Sequence, residues 1–413
     1  MVIIFLVFTL VLPLSHSKVN ASPNLPPNIT GEAAYLIDVQ SGQTLFSKNG
    51  DKLMNPASTT KILTGLLAIE HGDLDEMVTA SDTMLNYKVC YGTRIYLEPG
   101  EQLTLKDMLY ALLLNSANDA AIAIAEHIGQ GDMDNFTYLM NQKVRELGLK
   151  NSTFKNPSGL TEEGHLTTAH DLARIAQAAY ANPTFREFIV TKSQVIPRDK
   201  EDVPIEMFNE NKLLWRDPTI TGMKTGYTSA AGNCLVASAS RDGRDLIGVI
   251  LKSPGKAMYT DMQALLDYGF EQFSTKAYHK AGETLHQIQV HDETVNLIVE
   301  EDIFITEKSD NSLSKPTIKI LPFSEEFTEV KAGQIITHLD IWEGDEKLTS
   351  VPLVADRSVE APFLEDEKTS LGLVFGLSLI FSGGILFGVA NQKKHNARRK
   401  ERARIKRNRP PIR

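Results

Sequence analysis

Cysteine is scarce: Cys90 and Cys234 are the only two in 413 residues. Two are too few for a disulfide framework; they could pair once in an oxidising compartment, but nothing in the sequence requires it. Positive charge is scarce over most of the chain as well. The overall charge of -9 conceals a basic C-terminal tail, in which eleven Lys and Arg oppose Glu401 for a net +10. With Lys18 also set aside, residues 22 to 390 hold -20. An acidic body of that size is not a nucleic-acid binder. Clusters of metal ligands are missing too. His165 and His170 stand five apart in a loop-to-helix passage, and a metal site needs more ligands than the sequence assembles there. Capping and surface roles are expected of both histidines. Long apolar runs, finally, are confined to the two ends.

What is present is the balance of a globular protein, 42% hydrophobic and 23% charged, at a length that implies two folded domains with attachments. Val2 to Leu14 is an apolar run of signal-peptide length, and Val19-Asn20-Ala21 offers a small-residue cleavage site before Ser22. No Lys or Arg precedes the run. The Pro- and Asn-rich stretch after it reads as linker, which favours export over a buried core helix. Residues 1–21 are therefore read as a signal peptide and 22–30 as a linker. Leu371 to Ala390 carries no charge across 20 residues, long enough to span a bilayer at ~1.5 Å per residue. The basic tail, 391–413, orients that span with the tail in the cytoplasm and everything before it outside. Membrane lipid is the contact expected of the tail.

Between the ends the pattern changes once. Ala33 to Asp38 and Thr44 to Ser47 read as a strand hairpin. A helix follows from about Ser58, then Thr104 with Asp107 caps another, which stops around Asn115 to Asn118. A further helix begins near Asp119, and one more spans Asn135 to Leu147. After a turn-rich passage from Asn156 to His165, Thr168 with Asp171 caps a helix to about Tyr180. Strands are expected at Ile220 to Tyr227, Cys234 to Ser240 and Leu246 to Leu251, with the turn Arg241-Asp242-Gly243-Arg244 joining the last two. A terminal helix is expected from about Lys256 to Phe273. Two strands, several helices, three strands and a helix make one antiparallel sheet from both chain ends, with helices on its faces, an α/β (α+β) fold. Residues 31–273 form that unit. From 277 to 360 short alternating runs separated by polar turns predict a small all-β domain without a catalytic constellation.

The chemistry concentrates at Pro56-Ala57-Ser58-Thr59-Thr60-Lys61. In a helix opening at or beside Ser58, Ser58 and Lys61 share a face. The hydroxyl sits in the positive end of the helix dipole. The amine, close by and partly desolvated, can lose its proton far below its solution pKa of about 10.4. That is a Ser-Lys nucleophile pair. Ser-x-x-Lys alone is weak, and it recurs at Ser152/Lys155, Ser253/Lys256 and Ser312/Lys315; none of these opens an amphipathic helix. Two further motifs decide. Ser116-Ala117-Asn118 lies in a break between helices, where side chains can enter a cleft, although both polar residues could simply cap the next helix. Lys224-Thr225-Gly226 lies on an expected strand, with a glycine where a substrate backbone could approach; an edge lysine is the plainer reading of Lys224. Ser-x-Asn also occurs at Ser47-Lys48-Asn49, but Lys-Thr-Gly occurs once. Three motifs in that order, each in the fitting local structure, form a joint signal.

At these residues the chain resembles the serine D-alanyl-D-alanine carboxypeptidases, the low-molecular-mass penicillin-binding proteins of the β-lactamase/transpeptidase-like superfamily. Ser116 to Ala121, Thr221 to Thr228, Asn156-Pro157-Ser158-Gly159-Leu160 and Thr167 to Asp171 look like that family as well. The resemblance covers roughly Gly31 to Phe273, and the trailing β domain fits the family's layout. The C-terminal span departs from the amphipathic helix that many members use. The resemblance implies that Ser58 attacks the carbonyl between two D-alanines to form an acyl-enzyme, that Lys61 is the general base and that Ser116 relays the proton to the leaving amine. Asn118 would bind the substrate amide, Lys224 and Thr225 would hold the terminal carboxylate, and Gly226 would line the substrate site beside them. Backbone N–H groups of Ser58 and Tyr227 would form the oxyanion hole. It further implies peptidoglycan stem peptides ending in D-Ala-D-Ala as substrate, β-lactams as inhibitors, and no metal or cofactor.

Two other classes share parts of the pattern. A class A β-lactamase has the Ser-x-x-Lys and Lys-Thr-Gly elements but uses a glutamate to activate the deacylating water. Glu162 and Glu163 fall in the right part of the chain without the neighbouring asparagine expected of that enzyme. A non-catalytic penicillin sensor would signal through its tail, and the tail here is short with no folded-domain pattern. The carboxypeptidase reading is the one the whole chain fits.

Overall fold

The structure, a computed structural model, describes residues 25–361 except 311, 313, 314 and 325. The signal run, the span at 371–390 and the basic tail lie outside the described residues. Among the described residues, no helix is long and apolar enough to cross a membrane.

Strands β1 (Ala33–Asp38) and β2 (Thr44–Lys48) form the expected hairpin. A single 3₁₀ turn, Ala57–Thr60, leads into helix α1 (Lys61–His71). A short ribbon of β3 (Met77–Thr79) and β4 (Gln102–Thr104) precedes α2 (Leu105–Leu113). Then come α3 (Asn118–Ile128) and α4 (Met133–Glu146). The turn-rich passage delivers the chain to α5 (Ala169–Ala181) and α6 (Pro183–Val190). A second ribbon, β5 (Ser193–Val195) with β6 (Glu206–Phe208), and the short α7 (Lys212–Arg216) follow. Strands β7 (Ile220–Thr228), β8 (Gly232–Arg241) and β9 (Arg244–Ser253) then run into α8 (Ala257–Gln272).

The caps act where the sequence places them. Thr104 Oγ1 accepts from the Asp107 N–H at 3.1 Å and donates to its carboxylate at 2.6 Å, and Thr168 Oγ1 accepts from the Asp171 N–H at 3.0 Å. Helix α6 and the two ribbons have no counterpart in the sequence reading. Asn182 caps α6, accepting from Thr184 and Phe185, with Pro183 at the first helical position, where a missing N–H costs nothing.

All five long strands pair antiparallel in the order β2-β1-β9-β8-β7. The sheet is thus closed by β1 against β9, with Ala33 opposite Leu251. Both faces are buried, and the period-2 alternation of strand side chains sorts them. Tyr35, Ile37, Val236, Ile247 and Val249 join the large core under α1 to α6, whereas Leu36, Leu235, Leu246 and Ile250 join a smaller one under α8. Asp242 and Gly243 both take positive φ, 52° and 77°, as a tight two-residue β8–β9 turn requires. Helix α1 runs through the larger core, and every residue from Lys61 to Ala68 is buried. A helix covered on all sides is part of the interior, so Lys61 is a core lysine.

At Phe273 the chain enters β10 (Phe273–His279) directly from α8, with no linker. The second domain continues with β11 (Thr284–Val290), β12 (Glu293–Ile298), β13 (Ile303–Lys308), β14 (Thr317–Ile320), β15 (Ile335–Glu343) and β16 (Glu346–Ala355). Strands β10 and β13 pair alone, and the others form a sheet ordered β11-β12-β16-β15-β14. The core of this all-β unit includes Val290, Val295, Leu297, Ile341 and Leu353.

Candidate active site

The 3₁₀ turn at Ala57–Thr60, the α2–α3 junction and edge strand β7 converge on one place. Ala57 holds φ at +50° and Ser116 at +62°, a left-handed conformation that costs a non-glycine residue about 1 kcal/mol or more. Two glycines permit the close approach. A Cβ on Gly159 would lie 1.8 Å from the Ala57 carbonyl oxygen, and one on Gly226 would lie 2.9 Å from the Ser58 nitrogen. Strand β7 therefore presses its backbone against the turn that carries Ser58.

Ser58 and Lys61 face each other across that turn, at 3.1 Å between Oγ and Nζ. Lys61 Nζ also donates to Asn118 Oδ1 at 2.7 Å and to the Ser158 carbonyl at 2.8 Å. Its side chain is fully buried, and burial holds its ammonium well below the usual lysine range, with the nearby Lys224 charge adding to the effect. The partners set what a neutral amine can do here. Asn118 Oδ1 and the Ser158 carbonyl only accept, so they take its two hydrogens. The lone pair is left for Ser58, whose hydroxyl can donate. The arrangement makes the serine proton transferable to Lys61.

Asn118 is oriented from its other end, where Nδ2 donates to the Tyr91 carbonyl at 2.5 Å. It lies inside α3, whose N-cap position is Ala117 and has no side-chain cap. The plain capping alternative for Ser116 and Asn118 does not describe this junction. Ser116 is buried beside them, yet among the described residues no hydrogen bond joins its hydroxyl to Ser58, Lys61 or Asn118.

On β7, Lys224 is 2% exposed and Thr225 is buried, while Tyr227 is 65% exposed. Burial lowers the Lys224 pKa, opposed by Glu210. Glu210 Oε2 lies 3.6 Å from Lys224 Nζ and accepts from Thr225 Oγ1 at 3.3 Å. A strand-edge lysine facing water would have neither this burial nor this partner.

Three contributors escaped the sequence reading. The Ser158 carbonyl is one; its signal was the Asn156-Pro157-Ser158-Gly159 turn cluster, where Asn156 Oδ1 accepts from the Gly159 N–H at 2.8 Å. Glu210 is the second, with no local signal. His165 is the third: in place of the capping or surface role expected of it, it is buried behind the turn, with Nε2 3.1 Å from Thr60 Oγ1, and burial takes its pKa down to about 4. His170 instead lies between Asp171 and Glu346. The two histidines therefore go separate ways, and among the described residues no group of three His, Cys, Asp or Glu side chains could hold a metal. Cys90 and Cys234 are both buried and free, and burial takes the Cys234 thiol up to about 11.

Residues 19–255 match the D-alanyl-D-alanine carboxypeptidase family, and residues 273–361 match the penicillin-binding protein 5 C-terminal domain. The chain is 32% identical over 348 residues to the D-alanyl-D-alanine carboxypeptidase DacF of Bacillus subtilis, covering 83% of this chain and 89% of that one. It is 30% identical over 353 residues to DacC of Escherichia coli, covering 81% and 85%. Among solved structures, penicillin binding protein 5 from Haemophilus influenzae superposes with a TM-score of 0.65 at 30% identity, over 81% of this chain and 99% of that one. The Streptomyces K15 DD-transpeptidase superposes at 0.56 and 30% identity, over 60% of this chain and 99% of its own.

Proposed function

The chain belongs to the D-alanyl-D-alanine carboxypeptidase family, and from that premise we propose that it is a membrane-anchored enzyme that removes the terminal D-Ala of peptidoglycan stem pentapeptides through an acyl-enzyme on Ser58 and is inhibited by penicillin. The observation that carries this reading is the threefold set of Lys61 partners inside the core. It supplies a base with a lowered pKa against a serine that is neither buried nor fully exposed.

In this mechanism Lys61 Nζ takes the Ser58 proton as Oγ attacks the carbonyl carbon of the penultimate D-Ala. The developing oxyanion is met by backbone N–H groups of Ser58 and Tyr227, a contribution of about 3 kcal/mol for such a donor. The carbon–nitrogen bond breaks, and the leaving amine takes a proton through Ser116. Water then attacks the ester carbonyl and gives a proton to Lys61, which passes it to Ser58 Oγ as the ester bond breaks and the shortened peptide leaves as its carboxylate. Asn118 binds the substrate amide while orienting Lys61. Lys224 and Thr225 receive the terminal carboxylate, a charge-assisted contact suited to an exopeptidase. Strand β7 is the outer strand of its sheet, so an extended peptide can lie along its free edge. Glu162 and Glu163 are both exposed, and among the described residues neither is hydrogen-bonded to Ser58 or Lys61, which speaks against a β-lactamase even though Asn156 Nδ2 donates to Glu162.

Mass spectrometry tests the reading. The protein is incubated with diacetyl-Lys-D-Ala-D-Ala and, separately, with penicillin. Loss of one D-alanine and a penicilloyl adduct on Ser58 are expected, both abolished in Ser58→Ala. An adduct without cleavage would make the protein a sensor, and rapid penicillin turnover without peptide cleavage a β-lactamase.

A further inference from the structure

Glu210 places a carboxylate on the two groups assigned above to the substrate's own carboxylate. Its Oε2 is 3.3 Å from Thr225 Oγ1 and 3.6 Å from Lys224 Nζ. We propose that Glu210 is an internal stand-in for the terminal carboxylate, one that competes with the substrate for Lys224 and Thr225 and turns out into solvent as the substrate binds. This rests on the assignment of Lys224 and Thr225 to carboxylate binding.

The backbone fixes where the side chain starts. Asn209 and Asn211 are both buried. Asn209 Nδ2 donates to the Ile189 and Thr191 carbonyls, and Asn211 Nδ2 donates to the Gly222 carbonyl of β7. The Glu210 N–H itself donates to the Leu114 carbonyl at 3.2 Å, at the end of α2. Tethered on both sides and at its own nitrogen, Glu210 cannot leave by a loop movement.

The side chain can leave. It is 42% exposed, whereas Lys224 is 2% exposed, so rotation about its own bonds carries the carboxylate into water while the ammonium stays. Two carboxylates on one buried ammonium would leave an unpaired negative charge in a desolvated place. One must go, and only Glu210 has the route. The exchange conserves charge around Lys61: Glu210 opposes the lowering of its pKa and Lys224 promotes it, and an arriving carboxylate takes over the part Glu210 gives up. The site thus favours ligands that bring a negative charge to trade. Glu210 is a positioning and specificity residue; it does not touch the reacting atoms.

Steady-state kinetics on the full chain decide the matter, with Glu210→Gln, Glu210→Ala and Thr225→Val compared against the parent on diacetyl-Lys-D-Ala-D-Ala. Removing one partly exposed competitor is expected to lower KM about fivefold in both Glu210 variants, with kcat within about twofold. Acylation by penicillin, which also carries a carboxylate, should accelerate by the same factor, and Thr225→Val should raise KM. If Thr225→Val raises KM while the Glu210 variants leave it unchanged or raise it, the stand-in is wrong and the carboxylate site stands. A fall in kcat with KM unchanged in both Glu210 variants would also overturn the proposal, since it assigns Glu210 to the chemistry. If Thr225→Val leaves KM untouched, the underlying assignment fails and takes this inference with it.

Discussion

Lys61 has three hydrogens when charged and three partners to receive them, so its protonated form is as well bonded as its neutral form is useful. What tips the balance is desolvation of the ammonium in a core position, reinforced by Lys224. The pH dependence follows in sign. In the proposed mechanism Lys61 acts as the base in its neutral form, so kcat/KM is expected to be full above its lowered pKa and to fall as pH drops through it. Asn118→Asp would put a negative charge at 2.7 Å from Nζ, stabilise the ammonium and move that acid limb to higher pH; a limb that stays put removes Lys61 from the assignment. Lys61→Arg, which cannot deprotonate near neutrality, is expected to lose at least about a thousandfold in kcat, on the scale of a lost general base, with penicillin acylation falling in parallel.

Among the elements, the contact between α5 and the β15–β16 hairpin joins the two domains. Glu346 Oε1 accepts from His170 Nε2 at 2.8 Å and from Arg174 Nε at 2.9 Å, while His170 Nδ1 meets Asp171 at 2.9 Å. Burial disfavours a charged His170, but the bonds to Asp171 and Glu346 outweigh it and raise its pKa to about 9. With an unfolded value of about 6.5, the stabilisation is fully present below pH ~6.5 and is lost as pH rises through about 9. The difference in Tm between the parent and His170→Asn is therefore expected to shrink from pH 6 to pH 9.5, and a constant difference would refute it. Neither this contact nor Glu210 was legible in the sequence: the first joins residues 172 and 176 apart, and Glu210 meets Thr225 across 15 residues of helix and strand, beyond the reach of a local pattern. What was legible is local. The threonine caps at 104 and 168 and the Asp242-Gly243 turn act within four residues. Strands β1 and β9 contain continuous apolar runs, Ala33 to Ile37 and Leu246 to Leu251, because both sheet faces are covered there. The three-residue strands β3 to β6 offer too few residues to show a period, and α6 follows α5 without a break long enough to separate them.

For the whole molecule, the charge division and the fold concern different parts of the chain. The described residues account for an acidic two-domain body, and the proposal of membrane anchoring rests on the uncharged run at 371–390 and the basic residues behind it. A chain ending at Thr369 is expected to leave the membrane fraction for the soluble one with its kcat on the short peptide retained; retention in the membrane fraction would require another anchor. Sheet topology carries a different consequence, for assembly in time. Ala33 pairs with Leu251, and the backbone at Gly226 packs on that of Ser58, so contacts distant in sequence complete both the sheet and the site. Such topologies fold slowly. Until β7 to β9 emerge, Ser58 stands beside a hydrated lysine of ordinary pKa, about 10.4. On the proposed mechanism a nascent chain therefore carries its serine as an inert hydroxyl, and acquires reactivity only when nearly the whole first domain has arrived.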